Sequence, residues 1–336
     1  MVWGCGRIAQ MVHLKQLSQN EHVEIVGLAD ASQERLKEAG EIAPNASKFE
    51  DYEQSLAMEA DGVVICLPPA LHAPAALAAL NAGYNVYVEK PLATDAEAGK
   101  QVVKAWQQSG KIGMMGFNFR FHPLYNEARS RLGELGALRS VQSSFSSMGR
   151  TLPNWKKSRT SGGGVLLDLA SHHIDLARYL FDTEVETISA MTTTHEAEGD
   201  NAVVMLKLAN GILMQSLLSM NTVQQHQWTI YGREATLNID LARPLRIEKQ
   251  EASWDRARLK RTLKNLQALT PREVLLHPGY EPSFGLALGA FVDSLRTGRL
   301  TENAPTIEDG YRSLQAILAA EAAAAEGTVV TVENGA

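Results

Sequence analysis

The residue types best suited to chemistry fall in one short stretch, residues 162–175, where three glycines precede an acid and two histidines. In a helix that starts after the glycines, Asp168, His172 and Asp175 are spaced i, i+4 and i+7 and share one face. A carboxylate and an imidazole on a common face can move a proton at neutral pH. The stretch therefore predicts a proton-transfer site, in which Asp175 is either a partner of His172 or a structural residue.

A structural interpretation of the same helix stays open. Asp168 would then cap the helix, and His172 would be a hydrogen-bonded histidine of the core. His173 points to another face of the helix and is predicted to be structural. The spacing of the acids and His172 also suits a metal ion, but no further ligand set accompanies it, so we predict no metal site.

A dinucleotide-type loop opens the chain, with the hexapeptide G-C-G-R-I-A at residues 4–9 ahead of a predicted helix. The first glycine of such a loop allows a tight turn, and the second lets backbone N–H groups approach a pyrophosphate. We therefore predict that Gly4, Gly6, Arg7 and Ile8 bind a cofactor.

Asp30 closes the next predicted strand. A carboxylate at that position accepts hydrogen bonds from the adenosine ribose and repels a 2′-phosphate, which favours NAD over NADP. Ser32 and Arg35 nearby leave use of NADP open. The alternative is that Asp30 caps the following helix.

The tripeptide Glu89-Lys90-Pro91 follows a predicted strand at residues 85–88. It thus lies at the carboxyl edge of a parallel sheet, where open α/β folds bind their ligands. A single lysine is more often a surface residue, but Pro91 disfavours helical geometry at Lys90 and favours a functional role at this edge. His72, which follows another predicted strand, either lines the nicotinamide site or caps its helix.

The length and composition are typical of a soluble, two-domain protein. The chain has 336 residues, 45% hydrophobic and 21% charged, and a formal net charge of −6. This charge argues against nucleic-acid binding, and the basic stretch at residues 256–261 is predicted to be a solvated helix face. No apolar run approaches the ~18 residues of a membrane helix, there is no room for a signal peptide before the glycine loop, and the two cysteines supply no disulfide framework. We therefore expect a cytoplasmic protein.

The distribution of apolar residues predicts an α/β protein with two domains. Up to residue 117, short apolar runs alternate with amphipathic segments, which is typical of a Rossmann-type parallel sheet. Its first strand is apparently truncated, because only three residues precede Gly4. Residues 118–336 are predicted to form an α+β domain with a large, open, mostly antiparallel sheet. Strands are predicted at residues 23–29, 62–67, 85–88, 141–146, 185–192, 202–208, 212–220, 228–231 and 236–240, and helices at 72–82, 95–109, 284–297 and 306–326. The pair Asn210-Gly211 predicts a hairpin turn between two of these strands.

The open face of the second sheet is predicted to carry apolar side chains. Leu213, Leu217 and Met220 alternate at strand spacing in this region. An exposed apolar sheet face favours association between copies of a chain. We therefore expect a homo-oligomer that forms through this face.

The motifs taken together resemble the glucose–fructose oxidoreductase/inositol dehydrogenase (Gfo/Idh/MocA) family. They occur in the family's order: G-x-G-x-x-A at 4–9, Asp30, P-P-A-L-H at 68–72, E-K-P at 89–91, N-F-R-F at 118–121 and G-G-V-L-L-D-L-A-S-H at 163–172. The resemblance implies that Lys90 is the catalytic lysine at a strand end, and that Asp168 and His172 are the acid and the histidine of the substrate helix. The predicted cofactor contacts also include Pro68, His72, Glu89 and Lys90.

The resulting expectation is an NAD-dependent dehydrogenase that acts on a sugar, a cyclitol or a similar polyol. His172 would take the hydroxyl proton, Lys90 would stabilise the developing alkoxide, and Asp168 would hold a substrate hydroxyl or orient His172. Trp155 and Lys156 are expected to form a wall of the substrate pocket.

Other interpretations remain open at this stage. Arg120 would approach the cofactor or the substrate, or would form a structural ion pair. The alternatives for function are a glycosidase that uses bound NAD for a transient oxidation, and a non-catalytic NAD-sensing regulator. A regulator would have no need of the proton-transfer residues.

Overall fold

The computed structural model describes residues 1–147, 153–241, 248–251, 281–333 and 335. The basic stretch at residues 256–261 lies outside the described residues. Within them, no helix is both long enough and apolar enough to cross a membrane.

The first part of the chain forms the predicted parallel sheet. Its six strands have the order β3-β2-β1-β4-β5-β6. They are β1 (Val2–Trp3), β2 (Gly27–Ala29), β3 (Ser47–Phe49), β4 (Gly62–Ile65), β5 (Asn85–Val88) and β6 (Gly113–Met115). The helices are α1 (Leu14–Ser18), α2 (Gln33–Ile42), α3 (His72–Asn81) and α4 (Ala96–Ser109). The strand predicted at residues 23–29 is shorter than expected, because only its last three residues pair with neighbouring strands.

The short strand β1 lies at the centre of this sheet. It pairs in parallel with β2 on one edge and with β4 on the other. Trp3 is fully buried, and its indole Nε1 donates a hydrogen bond to Ser55 Oγ at 2.9 Å. Two strand residues and this anchor therefore hold the glycine loop that follows them.

The parallel arrangement brings four loops to one edge of the sheet. The carboxyl ends of β1, β2, β4 and β5 lead into Gly4, Asp30, Cys66 and Glu89. Local sequence signals fix where the neighbouring helices begin and end. The Asp95 side chain accepts a hydrogen bond from Ala98 N–H at the start of α4, and Gly83 follows α3 with a φ of +84°. The predicted cofactor and lysine motifs thus share one edge.

The second sheet has eight strands within the described residues, in the order β13-β12-β11-β7-β10-β9-β8-β14. They are β7 (Leu138–Ser146), β8 (Val185–Thr193), β9 (Asn201–Leu208), β10 (Leu213–Ser219), β11 (Gln225–Gly232), β12 (Ala235–Asp240), β13 (Glu248–Glu251) and β14 (Val330–Thr331). All described pairings are antiparallel except that of β7 with β10. The predicted turn at Gly211 joins β9 to β10, with a φ of +87°.

One face of this sheet is covered and the other is open. The helices of this part are α5 (Pro123–Arg131), α6 (Ser171–Phe181), α7 (Ser283–Thr297) and α8 (Ile307–Glu326). Along β9 and β10, buried and exposed side chains alternate, so that Met205, Leu213 and Leu217 are about half exposed or more. Met220, which we predicted on the open face, is buried instead, because it follows the last residue of β10 and leaves the alternation.

The last helices pack back on the first sheet. Leu288 and Phe291 of α7 share a buried apolar cluster with Leu28 and Tyr87, and α8 packs on α4. The two sequence halves therefore share apolar cores, which holds the helix that starts near residue 165 against the carboxyl edge of the parallel sheet.

Candidate active site

Lys90 connects the two halves at that edge. Its Nζ donates hydrogen bonds to Asp168 Oδ1 at 2.6 Å and to the Asp168 carbonyl oxygen at 2.7 Å. The lysine side chain is 13% exposed, and the peptide bond between Lys90 and Pro91 is cis. The strand-end lysine and the acid of the predicted proton-transfer helix therefore meet.

The glycines before the helix let two other segments approach its first turn. A Cβ on Gly163 would lie 2.3 Å from the Lys156 carbonyl oxygen, and a Cβ on Gly162 would lie 2.5 Å from Pro69 Cβ. Gly162 also has a φ of +90°, which favours glycine. The helix then begins with a π-helical turn at Leu166–Ala170 and continues as α6. The glycines thus allow Lys156 and Pro69 to lie directly against the site.

Asp168 is held by two lysines rather than one. Lys156 Nζ donates to Asp168 Oδ2 at 2.6 Å, opposite the bond from Lys90 to Oδ1. Burial alone would raise the pKa of Asp168, but the charges of Lys90 and Lys156 outweigh it and hold this pKa well below its usual range. Asp168 is therefore a fixed anion at neutral pH, and among the described residues its oxygens bond to the lysines and not to His172.

His172 is buried beside this cluster without a bond to it. The residue is 8% exposed, its ring lies 4.7 Å from that of Phe119, and its buried Nδ1 has no hydrogen-bond partner among the described residues. Burial, together with the charge of Lys90, lowers the pKa of His172 well below its usual value. The imidazole is thus neutral at pH 7 and is not the satisfied core histidine of the structural interpretation.

Arg120 and Asp175 belong to a separate ion network. Arg120 donates from Nε and Nη2 to Asp175 at 2.9 and 2.6 Å, and its Nη2 lies 3.1 Å from Asp309. Among the described residues Asp175 therefore bonds to Arg120 and not to His172, and Arg120 forms the structural ion pair that we kept open. The reason is geometric, since seven residues along a helix advance about 10 Å, which places Asp175 near the start of α8.

His173 differs from its neighbour in having its bonds satisfied. Its Nδ1 lies 3.0 Å from Ser143 Oγ, and Trp228 Nε1 donates to its Nε2 at 3.3 Å. Burial lowers the pKa of His173 to about 3. These contacts agree with the structural role that we predicted for it.

The glycine loop fits a dinucleotide. Gly4 has a φ of +90°, and a Cβ there would lie 2.5 Å from the Cys66 carbonyl oxygen, whereas a Cβ on Gly6 would meet nothing within 4 Å. The backbone at Gly6 is therefore open to an approaching group. Arg7 is exposed and Ile8 is half-buried beside this opening, so the loop can receive a pyrophosphate at the start of its helix.

Asp30 lies at the carboxyl edge of the parallel sheet and also holds the glycine loop by hydrogen bonds. Its Oδ2 accepts a hydrogen bond from Cys5 N–H at 2.8 Å, and its Oδ1 accepts from Ser32 N–H at 2.8 Å. Arg35 Nη2 donates to Oδ1 at 2.6 Å. Burial alone would raise the pKa of Asp30, but these hydrogen bonds and the charge of Arg35 lower it. The N-cap of α2 is Ser32, not Asp30.

His72 does not cap its helix, and its place beside the nicotinamide stays a prediction. It is buried, its Nδ1 lies 2.6 Å from the Pro91 carbonyl oxygen, and its Nε2 lies 2.7 Å from that of Leu67. It makes no capping bond to α3. His72 instead ties the loop after β4 to the backbone beside Lys90. Pro68, half-buried in that loop, remains a predicted cofactor contact.

Glu89 faces the interior, where it pairs with a residue that the sequence analysis missed. Its Oε1 lies 2.7 Å from His13 Nε2, and both residues are buried. His13 is four residues after Ala9, so it continues the helix face that packs on the sheet. That spacing is the one sequence signal that points to it. The Glu89 side chain therefore packs between Lys90 and the helix that follows the glycine loop.

Trp155 contacts Lys156, and the wall of the substrate pocket that we expect them to form stays a prediction. Lys156 Nζ lies 5.3 Å from the centre of the Trp155 ring, a distance at which a cation and an aromatic face attract. The fold thus brings Lys90, Asp168, His172 and Lys156 together. Among the described residues, no group of three or more His, Cys, Asp or Glu side chains is arranged to hold a metal ion.

Comparison with known proteins gives matches along most of the chain. Residues 1–117 match the family model described as the oxidoreductase family with an NAD-binding Rossmann fold, and residues 127–238 match the GFO/IDH/MocA C-terminal domain. An uncharacterized oxidoreductase, YrbE of Bacillus subtilis, is 25% identical over 98% of this chain and 95% of its own. An inositol 2-dehydrogenase of Rhizobium meliloti is 27% identical over 73% and 76%.

Solved structures of similar fold cover nearly the whole chain. The WlbA dehydrogenase of Bordetella pertussis, solved with NADH and UDP-GlcNAcA, has a TM-score of 0.82 at 24% identity and covers 99% of this chain and 98% of its own. A levoglucosan dehydrogenase solved with NADH has a TM-score of 0.84 at 22% identity, with the same coverage. At these identities the structures establish the fold. With both of its halves matched by the family models, the chain belongs to the Gfo/Idh/MocA family of NAD-binding oxidoreductases.

Proposed function

We propose that this oxidoreductase is an NAD-dependent dehydrogenase that interconverts a secondary alcohol and a ketone on a sugar or cyclitol. The observation that carries the proposal is a neutral His172, whose buried Nδ1 has no partner among the described residues, beside a Lys90 that bonds to Asp168. The dehydrogenase and inositol dehydrogenase names of the relatives support the same chemistry.

The residues for the cofactor lie along the carboxyl edge of the parallel sheet. Bound NAD supplies the acceptor for the hydride. The loop from Gly4 to Ile8 would hold the pyrophosphate through backbone N–H groups, and Asp30 would meet the adenosine ribose. The four donors from Cys5, Ser32 and Arg35 already occupy the Asp30 carboxylate, so the ribose would take the place of the half-exposed Arg35 side chain.

His172 is the proton acceptor in this proposal. A proton on its buried Nδ1 leaves the lone pair of Nε2 to take the hydroxyl proton as the hydride leaves the carbinol carbon. In the reverse direction the same nitrogen returns the proton to the alkoxide. Burial favours this role because it keeps the imidazole uncharged before the proton arrives.

Lys90 stabilises the reacting oxygen. An ammonium group has three N–H donors, and Lys90 uses two of them on Asp168. The third can donate to the carbinol oxygen and stabilise the negative charge that develops there. Because its oxygens are engaged by lysines, Asp168 serves to aim Lys90 rather than to bind a substrate hydroxyl.

A panel of sugars and polyols, each incubated with NAD and followed by NADH absorbance, tests the proposal. A dehydrogenase produces NADH in proportion to the alcohol consumed. A glycosidase that uses NAD transiently would release a hydrolysed product with no net NADH. A regulator would bind NADH but turn over nothing, and either outcome would overturn the proposal.

We also infer that the open sheet face joins copies of the chain. Met205, Leu213, Leu217 and Tyr231 form an exposed, mainly apolar patch on neighbouring strands, and such patches favour self-association. Light scattering of the native chain and of Leu217→Asp tests this: the native chain should be an oligomer that the substitution dissociates. A monomeric native chain would contradict it.

A cytoplasmic location completes the proposal. Cys5 and Cys66 are both buried and unpaired, which suits a reducing compartment. Fractionation of cells that express the protein would test it.

A further inference from the structure

Lys156 has hydrogen-bond donors that the described residues do not use. Its Nζ donates to Asp168 Oδ2 and to no other described atom, so two of its three N–H groups stay available. The side chain is 27% exposed, about twice the exposure of Lys90. A ligand beside Lys90 would therefore find a second ammonium group, bonded to the other oxygen of the same carboxylate.

The loop that carries Lys156 is built into the site. Gly163 lies against the Lys156 carbonyl, and Gly163 N–H donates to Ser158 O at 2.9 Å. Lys156 N–H donates to Pro153 O at 2.9 Å, and Glu198 N–H donates to Lys157 O at 3.1 Å. Three separate backbone bonds thus hold the segment, and Lys156 differs from a freely moving surface lysine.

The two ammonium groups of the site share one carboxylate. Lys90 and Lys156 both bond to Asp168, His172 beside them is neutral, and Glu89, the other carboxylate near Lys90, is paired with His13. Oxidised nicotinamide would add another positive charge. Arg159, on the same loop, is already paired with Glu321. When cofactor and substrate exclude water, an uncompensated charge of this kind is costly, and an anionic group on the substrate would compensate it.

We propose that Lys156 binds a carboxylate of the substrate, and that the protein acts on sugar acids such as uronates and aldonates in preference to neutral polyols. The proposal rests on the proposed function, since it names the substrate class of the same site. Lys90 takes the reacting oxygen and Lys156 takes the carboxylate, while Asp168 sets the spacing between the two ammonium groups.

Matched substrates and one pair of variants test the proposal. The kcat/KM for NAD-dependent oxidation is measured for glucuronate and gluconate against glucose and myo-inositol, with the native chain, with Lys156→Gln and with Lys157→Gln. We expect the native chain to favour the acids by tenfold or more, because a hydrogen bond between two charged groups contributes about 10- to 100-fold. Lys156→Gln should abolish that preference. Lys157, an exposed neighbour with no described side-chain partner, serves as the control and should leave it unchanged.

Binding measurements separate this proposal from the proposed function. The complex of the protein with NADH is titrated with glucuronate and with glucose by calorimetry. Binding of glucuronate that Lys156→Gln removes supports the carboxylate site even if no substrate is oxidised, in which case the dehydrogenase proposal fails. Oxidation of neutral sugars with no preference for acids, or a preference that persists in Lys156→Gln, would overturn the carboxylate site and leave the dehydrogenase intact. Absence of both binding and turnover would overturn both.

Discussion

The helix that spans the π-helical turn at Leu166–Ala170 and α6 carries two carboxylates on one face, and both are held by cations. Asp168 binds Lys90 and Lys156, whose side chains are partly exposed and retain unused N–H donors. Asp175 binds Arg120, which is nearly buried and shares its remaining bonds with Asp309. The residue types and the helical face are alike, yet only the first pair is open to a ligand.

The difference shows which ion pairs can act on a substrate. A buried guanidinium that bonds to carboxylates on two helices fixes the relative position of α6 and α8, and its burial keeps it from a ligand. An ammonium group with N–H donors to spare, beside a histidine whose Nδ1 has no partner among the described residues, can instead bind the polar groups of a ligand. Unused donors and access, rather than charge alone, therefore distinguish a site from a structural network.

The largest expected effect is on the reaction rate, and it follows substitution of His172, which lies beside Asp168 and its two lysines. His172→Ala should lower kcat by about 10²–10⁴, because it removes the proton acceptor that we propose. NADH affinity, measured by fluorescence titration, should change little. His195→Ala, at an exposed histidine, is the matched control. Retention of most of the activity by His172→Ala would place the proton acceptor elsewhere.

Substitution in the ion network of Arg120, Asp175 and Asp309 should change the stability of the fold rather than the reaction rate. Arg120→Met leaves Asp175 buried without its main partner and should lower the free energy of unfolding by about 3–5 kcal/mol. Lys90→Met should lower the rate far more than the stability, because Lys156 still neutralises Asp168. Denaturant unfolding and steady-state rates of both variants check this. Equal losses of stability in the two variants would contradict the distinction between the two ion pairs.

The satisfied histidine next to the site should make the fold sensitive to acid. The pKa of His173 is lowered to about 3 in the folded chain, while a histidine in the unfolded chain titrates near 6.5. Between these values the unfolded chain binds the extra proton, so stability falls as the pH falls through this window. The slope contributed by one such histidine is at most about 1.4 kcal/mol per pH unit.

Unfolding of the native chain and of His173→Asn at pH 7 and pH 5 measures that slope. The variant should be less stable at pH 7 but should lose less stability on acidification. Asp168 adds no slope between pH 7 and pH 5, because its carboxyl is ionised there in both the folded and the unfolded chain; its lowered pKa matters only as the pH falls past about 4, the ordinary pKa of an aspartate. An equal loss in both proteins would mean that other groups control the response.

The smallest expected effect concerns Asp30 and the choice between NAD and NADP. In the exposure of its own side chain, Asp30 lies between Asp168 and Asp175. It is nearly buried, but its partner Arg35 is half exposed. We expect NAD to bind more tightly than NADP, because Asp30 repels a 2′-phosphate. Arg35→Leu should widen that difference by no more than about fivefold, since a half-exposed ion pair contributes little. Calorimetric titration with both cofactors decides it, and tighter binding of NADP would remove Asp30 from its proposed role.

Local sequence patterns determined much of the architecture. Strand and helix periodicities predicted the parallel sheet, the later antiparallel strands and the hairpin at Gly211. The glycine loop and the strand-end tripeptide were predicted to lie at the carboxyl edge of the parallel sheet, where the structure places them. These features depend on φ angles, on side-chain alternation and on neighbours within a few residues, all of which are written in a short segment.

Tertiary structure alone decided which side chains meet. Lys90 and Asp168 are 78 residues apart in the chain, Arg120 and Asp175 are 55 apart, and His13 and Glu89 are 76 apart. Nothing in the spacing of Asp168 and Asp175 on one helix separates a site from a structural network, because the partners come from distant segments that only packing brings close. For the same reason the sequence placed Asp168 and His172 on one helix, whereas the two lysines that bind Asp168 followed only from the fold.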